Sequence, residues 1–161
     1  MHPWAKIGGG IAILSIPALA LADTGNHQSE YEIVNAVGGG SGTGAGTWEV
    51  NRTEDGWVKI LIEDTGDQKT TFTNTRVTSE VALEYDPNTA TWVGTTKALE
   101  CTNNGGFVNG CNFVTIGEEV DLYEINVFLD EDDNTGTVSQ KSDAEALGAV
   151  TTTTVTYTFT P

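Results

Sequence analysis

Two histidines and two cysteines are all that the 161 residues contain, and that scarcity removes whole classes of chemistry. A serine or cysteine nucleophile needs a base, usually histidine, within hydrogen-bond reach. His2 falls in the leading segment, which leaves His27 alone in the polar stretch 23–30, DTGNHQSE, expected to be a frayed terminus. Zinc and copper sites lack ligands for the same reason. Basic residues are scarce as well: seven Lys and Arg stand against 23 Asp and Glu, a formal charge of −16. That balance repels phosphate backbones and anionic lipid heads and so disfavours nucleic-acid and membrane-surface partners.

Long apolar runs are confined to the start. Residues 1–22, MHPWAKIGGGIAILSIPALALA, place Lys6 before an apolar run from Ile7 to Leu21, with small residues at Ala20 and Ala22. This is the layout of a secretory signal peptide cleaved after Ala22; with three glycines and Pro17 the run is too short to span a bilayer. The expectation is an exported chain of residues 23–161, extracellular, periplasmic or at the cell surface, with no membrane span after cleavage. The leader holds Lys6 and no acid, so its loss changes −16 to −17. One domain is expected at this length. In an oxidising compartment Cys101 and Cys111 are expected to pair and close the loop TNNGGFVNG.

The rest reads as strand, turn, strand. In 101–136 the residues Tyr123, Ile125, Val127 and Leu129 alternate with Leu122, Glu124, Asn126 and Phe128, the period of a strand with one buried face. Val58, Ile60 and Ile62 suggest a central strand, Asp64-Thr65-Gly66-Asp67 a turn, and Val155, Tyr157 and Phe159 the apolar face of a terminal strand. Gly38–Gly46, GGGSGTGAG, predicts a flexible loop, because each glycine loses much backbone freedom on ordering; without the closing Lys-Ser/Thr it is not a phosphate loop. A short helix is expected at 142–147, where Ser142 and Glu145 have capping-box spacing and Gly148 can close it. Eight to ten short strands with little helix predict an all-β fold, an antiparallel β-sandwich or jelly roll.

Candidate sites are few. Asp130, Asp132 and Asn134 alternate as the first ligands of a calcium loop do, though the closing glutamate is absent and Lys141 holds its place; the competing reading is a hairpin turn. Trp92, next to the Asp86–Ala90 turn, is a candidate aromatic for polysaccharide. Glu80, Glu84, Glu118, Glu119 and Glu124 qualify by type alone for a carboxylate hydrolase. The tail 150–160 is amphipathic and suits a sheet edge or strand addition to a second copy. It is similar to the tail of chaperone-assembled fimbrial subunits, but the late Cys101–Cys111 loop does not match their disulfide layout, so that family is not assigned. The expectation is a non-enzymatic structural or adhesive protein of the cell surface or an extracellular filament, with no cofactor except calcium. A carbohydrate- or calcium-binding module is the second reading and a carboxylate-dependent hydrolase the third.

Overall fold

A computed structural model describes residues 21–161 except Val37 and Leu147. The described chain is all-β, with strands β1 (Leu21–Asn35), β2 (Gly38–Arg52), β3 (Val58–Thr70), β4 (Thr73–Asp86), β5 (Thr91–Gly106), β6 (Val120–Asp121), β7 (Tyr123–Asp130), β8 (Thr135–Ala146) and β9 (Ala149–Thr160). They form one antiparallel sheet in the order β6-β5-β4-β3-β2-β1-β9-β8-β7. The first and last strands of that order are separated in sequence by Leu122 alone, so the sheet curls until its two edges meet. Leu122 is buried, and its N–H donates to the Gly94 carbonyl of β5 at 2.9 Å. The result is one nearly closed, barrel-like antiparallel sheet.

Side chains alternate in and out along each strand. The inward set includes Trp48, Val50, Ile60, Ile62, Val81, Leu83, Val138, Tyr157 and Phe159. Trp48 stacks on Phe159 with centroids 4.8 Å apart and donates its Nε1–H to the Thr160 carbonyl at 3.0 Å. Among the described residues every buried one falls between His27 and Phe159. The expected signal peptide lies outside the described residues apart from Leu21 and Ala22, which open β1 opposite Arg52 and Asn51.

Several expectations are corrected. The stretch 23–30 is not frayed but part of β1, paired along its length with β2 and from Asn26 onward with β9. Gly38–Gly46 is not a loop but the first half of β2. The helix expected at 142–147 is absent: Ser142–Ala146 end β8, paired with Ala149–Thr153, because strand pairing on a neighbour outweighs a two-turn helix. The strands are also long, up to 16 residues. The turn expected at 64–67 is strand instead, and β3 runs on to Thr70. The segment 123–130 is strand as expected but lies at the sheet's edge, while β9 lies inside it between β1 and β8.

Glycine is what permits the long β2. Gly40, Gly42, Gly44 and Gly46 recur every second residue and all face inward. A Cβ at Gly46 would overlap the Glu63 carbonyl of β3 and meet His27 Cε1 at 3.0 Å; one at Gly44 would meet Ser29 Oγ at 2.6 Å. The missing side chains are space that β1 and β3 occupy. Gly46→Val is therefore expected to lower the urea midpoint by the equivalent of about 1–3 kcal/mol, with Ala45→Val, one residue along and facing out, near neutral. Equal stability of the two variants would show that the stripe is not a packing constraint.

Candidate functional site

The space over the glycine stripe holds the main polar cluster of the described interior. His27 pairs with Gly46 on β2, and Gly46 pairs with Asp64 on β3. Two side chains separated by a whole strand can touch only if the intervening residue has none. His27 Nε2 reaches Asp64 Oδ1 at 2.8 Å across Gly46. Ser29 Oγ donates to the same oxygen at 2.7 Å, over Gly44. Tyr31 Oη donates to Asp64 Oδ2, and its ring lies over Gly66, where a Cβ would meet the phenol oxygen at 2.6 Å. Tyr157 of β9 presents its ring edge to His27 at 5.3 Å and accepts from Gln140 Nε2 of β8 at 3.1 Å. A carboxylate only accepts, so the His27 tautomer that serves Asp64 carries its proton on Nε2.

Histidine, serine and aspartate together suggest hydrolysis, but the connectivity is wrong for it. In a nucleophilic relay serine bonds to histidine and histidine to the carboxylate. Here both serine and histidine bond to Asp64, so His27 is not the group that accepts the Ser29 proton. The side chains of His27 and Asp64 are 0% exposed. The cluster is a tie across three strands. Burial holds the Tyr31 and Tyr157 phenols well above their usual pKa, and the carboxylate of Asp64 adds to both shifts. Arg52, inward at the far end of β2, lies 3.7 Å from Glu131; burial pushes its guanidinium down from the usual value while Glu131 and Asp23 pull it back.

The residues singled out from sequence lie elsewhere and apart. Cys101 and Cys111 are disulfide-bonded, with Cα atoms 5.8 Å apart, and tie the 3-10 turn Gly110–Phe113 to β5. Asp130, Asp132 and Asn134 form the β7–β8 turn, where Asp130 Oδ1 accepts the Asp132 and Asp133 amides at 3.1 and 3.4 Å and Asn134 takes the left-handed conformation, φ 57°. Among the described residues no three His, Cys, Asp or Glu groups are placed to hold a metal. Trp92 packs at 5.3 Å against Tyr85, its partner on β4, and lies against the core. Glu80, Glu84 and Glu124 pair with Lys97, Lys59 and Lys141 on the outer wall, while Glu118 and Glu119 are exposed before β6. Of the five, only Glu80 lines either of the two grooves outside β2.

Two shallow grooves mark the outside of β2, where Ser41, Thr43, Ala45 and Thr47 are small. One of about 680 Å³ runs past Glu30, Ser41, Thr43, Asp67, Lys69 and Arg76. The other, about 610 Å³, runs past Asn26, Thr47, Glu49, Glu63 and Glu80.

No protein-family model and no curated protein matches the chain. Among solved structures it is similar to the distal domain of the mouse adenovirus 2 fibre at 13% identity and a TM-score of 0.17, covering 85% of this chain and 70% of that one. A likeness this faint carries no argument.

Two outcomes follow from the cluster. Asp64→Ala leaves three buried donors without their acceptor and is expected to lower unfolding free energy by about 3 kcal/mol or more in urea titration; a loss of only a few tenths would deny it a structural role. The second outcome concerns alkali. Unfolded tyrosines ionise near pH 10, whereas folded Tyr31 and Tyr157 hold their protons longer. The folded state then binds more protons, so stability is retained below about pH 10 and falls above it, by up to about 1.4 kcal/mol per pH unit for each phenol. Tyr31→Phe should lose stability at neutral pH yet show a shallower alkaline decline; an unchanged slope would contradict the assignment.

Proposed function

We propose that the chain is an exported, non-enzymatic β-barrel that acts by surface contact, in a structural or adhesive role at the cell surface or in an extracellular filament. The observation that carries this reading is the sealed cluster: the grouping of His27, Ser29 and Asp64 is spent on holding β1 to β3 and is closed to solvent. The signal-like leader and the disulfide agree with it. Assembly by exchange of the tail 150–160 is not part of the proposal. β9 is hydrogen-bonded to β1 on one side and β8 on the other, so lending it to a second copy would mean opening the barrel. Contact is made by preformed surface.

A polysaccharide-binding module is the second reading, supported by the two polar grooves over β2 and no longer by Trp92. Its calcium form rests on the Asp130–Asn134 turn, where one carboxylate oxygen is already engaged by backbone amides.

The test is retention of beads coated with residues 23–161 on surfaces bearing the same chain or a neutral polysaccharide, in calcium and then in chelator, beside turnover assays on ester and glycoside substrates. Retention without turnover is expected. Turnover lost in Asp64→Asn, in a variant that keeps its β-type circular dichroism, would overturn the reading.

A further inference from the structure

The two ends of the barrel differ in chemistry. At one end the β2–β3, β4–β5 and β7–β8 connections carry Glu54, Asp55, Asp86, Asp130, Glu131, Asp132 and Asp133. At the other end lie the β3–β4 turn, with Phe72, and the loop after β5, with Phe107 and Val108. Residues 68–79 and 101–117, which build this second tip, contain no Asp or Glu although the chain has 23. Phe107 is 87% exposed, Phe72 45% and Val108 44%. The three are held together: the Phe72 carbonyl accepts the Phe107 and Val108 amides at 2.9 and 3.1 Å, and the two rings meet edge-on at 6.4 Å. Gly105 and Gly106, with φ of 128° and 96°, turn the chain outward in a conformation other residues rarely adopt, and the Cys101–Cys111 disulfide fixes the base of the loop.

We infer that this tip inserts shallowly into the surface of a neutral lipid bilayer. The inference deepens the contact reading above by naming a partner, and it rests on that reading. An aromatic exposed to this degree contributes little to the fold, so its benefit lies in what covers it. The apolar area of the three side chains is on the order of 300 Å², well below the roughly 800 Å² per partner of a stable protein interface. A bilayer asks for less: rings that sit at the headgroup boundary and polar neighbours that hydrogen-bond there, a role open to Thr70, Thr71, Thr73, Asn103 and Asn109.

The charge of −16 disfavours anionic membranes, but its placement decides what the tip meets. The acidic turns lie the length of β3 away, 13 residues or about 40 Å, several times the ~8 Å screening length at physiological salt. Near the tip, Asp67 is engaged bidentately by Arg76, at 2.8 and 3.0 Å, and Lys69 adds positive charge. Glu32 on β1 and Asp143 and Glu145 on β8 stand at the same end and favour neutral over anionic lipid. The wall itself is not the lipid surface, since Gln28, Glu30, Glu32 and Lys69 face outward along it. Among the described residues no helix is long and apolar enough to cross a membrane.

The experiment is co-sedimentation of residues 23–161, disulfide intact, with phosphatidylcholine vesicles and with vesicles containing one-third phosphatidylglycerol. Binding to phosphatidylcholine, weaker on the mixed vesicles, is expected. Phe107→Asp, at an exposed loop position that leaves the core untouched, should reduce binding roughly tenfold or more, while Phe128→Ser, equally apolar and 66% exposed on β7, should not. Equal binding by Phe107→Asp, or no vesicle binding by the unmodified chain, would overturn the inference. If that chain ignores vesicles but forms a dimer that Phe107→Asp dissolves, the tip contacts a second copy: the lipid inference fails while the contact reading stands.

Discussion

The barrel depends on one strand having almost no inward side chains over half its length. A sheet normally keeps inward side chains of strands two apart from meeting, because the strand between them fills the space. Gly42, Gly44 and Gly46 empty that space, and His27, Ser29 and Tyr31 use it to reach Asp64. The glycine that costs entropy on ordering is offset by contacts no other residue would allow. A fully buried carboxylate would be ruinous alone; three donors, all from β1, satisfy it. The same four residues therefore set the register of β1 against β3 through β2, since a shift of one residue would turn the donors outward.

From that fixed wall the remaining strands complete the barrel. β9 lays Tyr157 and Phe159 beside Ser29 and His27, and β8 supplies Gln140 to Tyr157. Closure falls to the short β6 and to Leu122, which join β5 to β7. The seam is the least regular part of the wall, and the disulfide lies on the same stretch of chain, bracing the loop that carries Phe107.

Much of the class was legible in the sequence. The all-β character, the disulfide, the buried face of β9 and the buried Ile60 and Ile62 follow from alternation and cysteine count. What misled was local chemistry overruled by partners distant in sequence. Gly38–Gly46 looks like a loop when its glycines are counted, yet Gly40, Gly42, Gly44 and Gly46 recur with the period of a strand, and that period was the available signal. Asp64 and Gly66 are turn residues by type, but their positions inside β3 are dictated by His27 and Tyr31, more than 30 residues earlier. His27 looked like a terminus residue because nothing adjacent to it is apolar. Ser142 and Glu145 have the spacing of a helix start, and β9 claimed them for pairing instead. Trp92 stands at the start of β5, but its ring is engaged by Tyr85.

The most direct measurement is native-state hydrogen exchange of the intact chain and of Asp64→Asn, followed amide by amide. If the cluster is the tie on which the barrel depends, the slowest amides lie in β1, β2 and β3 around His27, Gly46 and Asp64, and the substitution speeds all three strands together by a similar factor. If instead the slowest amides lie in β7 and β8, or if Asp64→Asn speeds exchange only at its own position, the cluster is a passenger in a barrel held by other contacts.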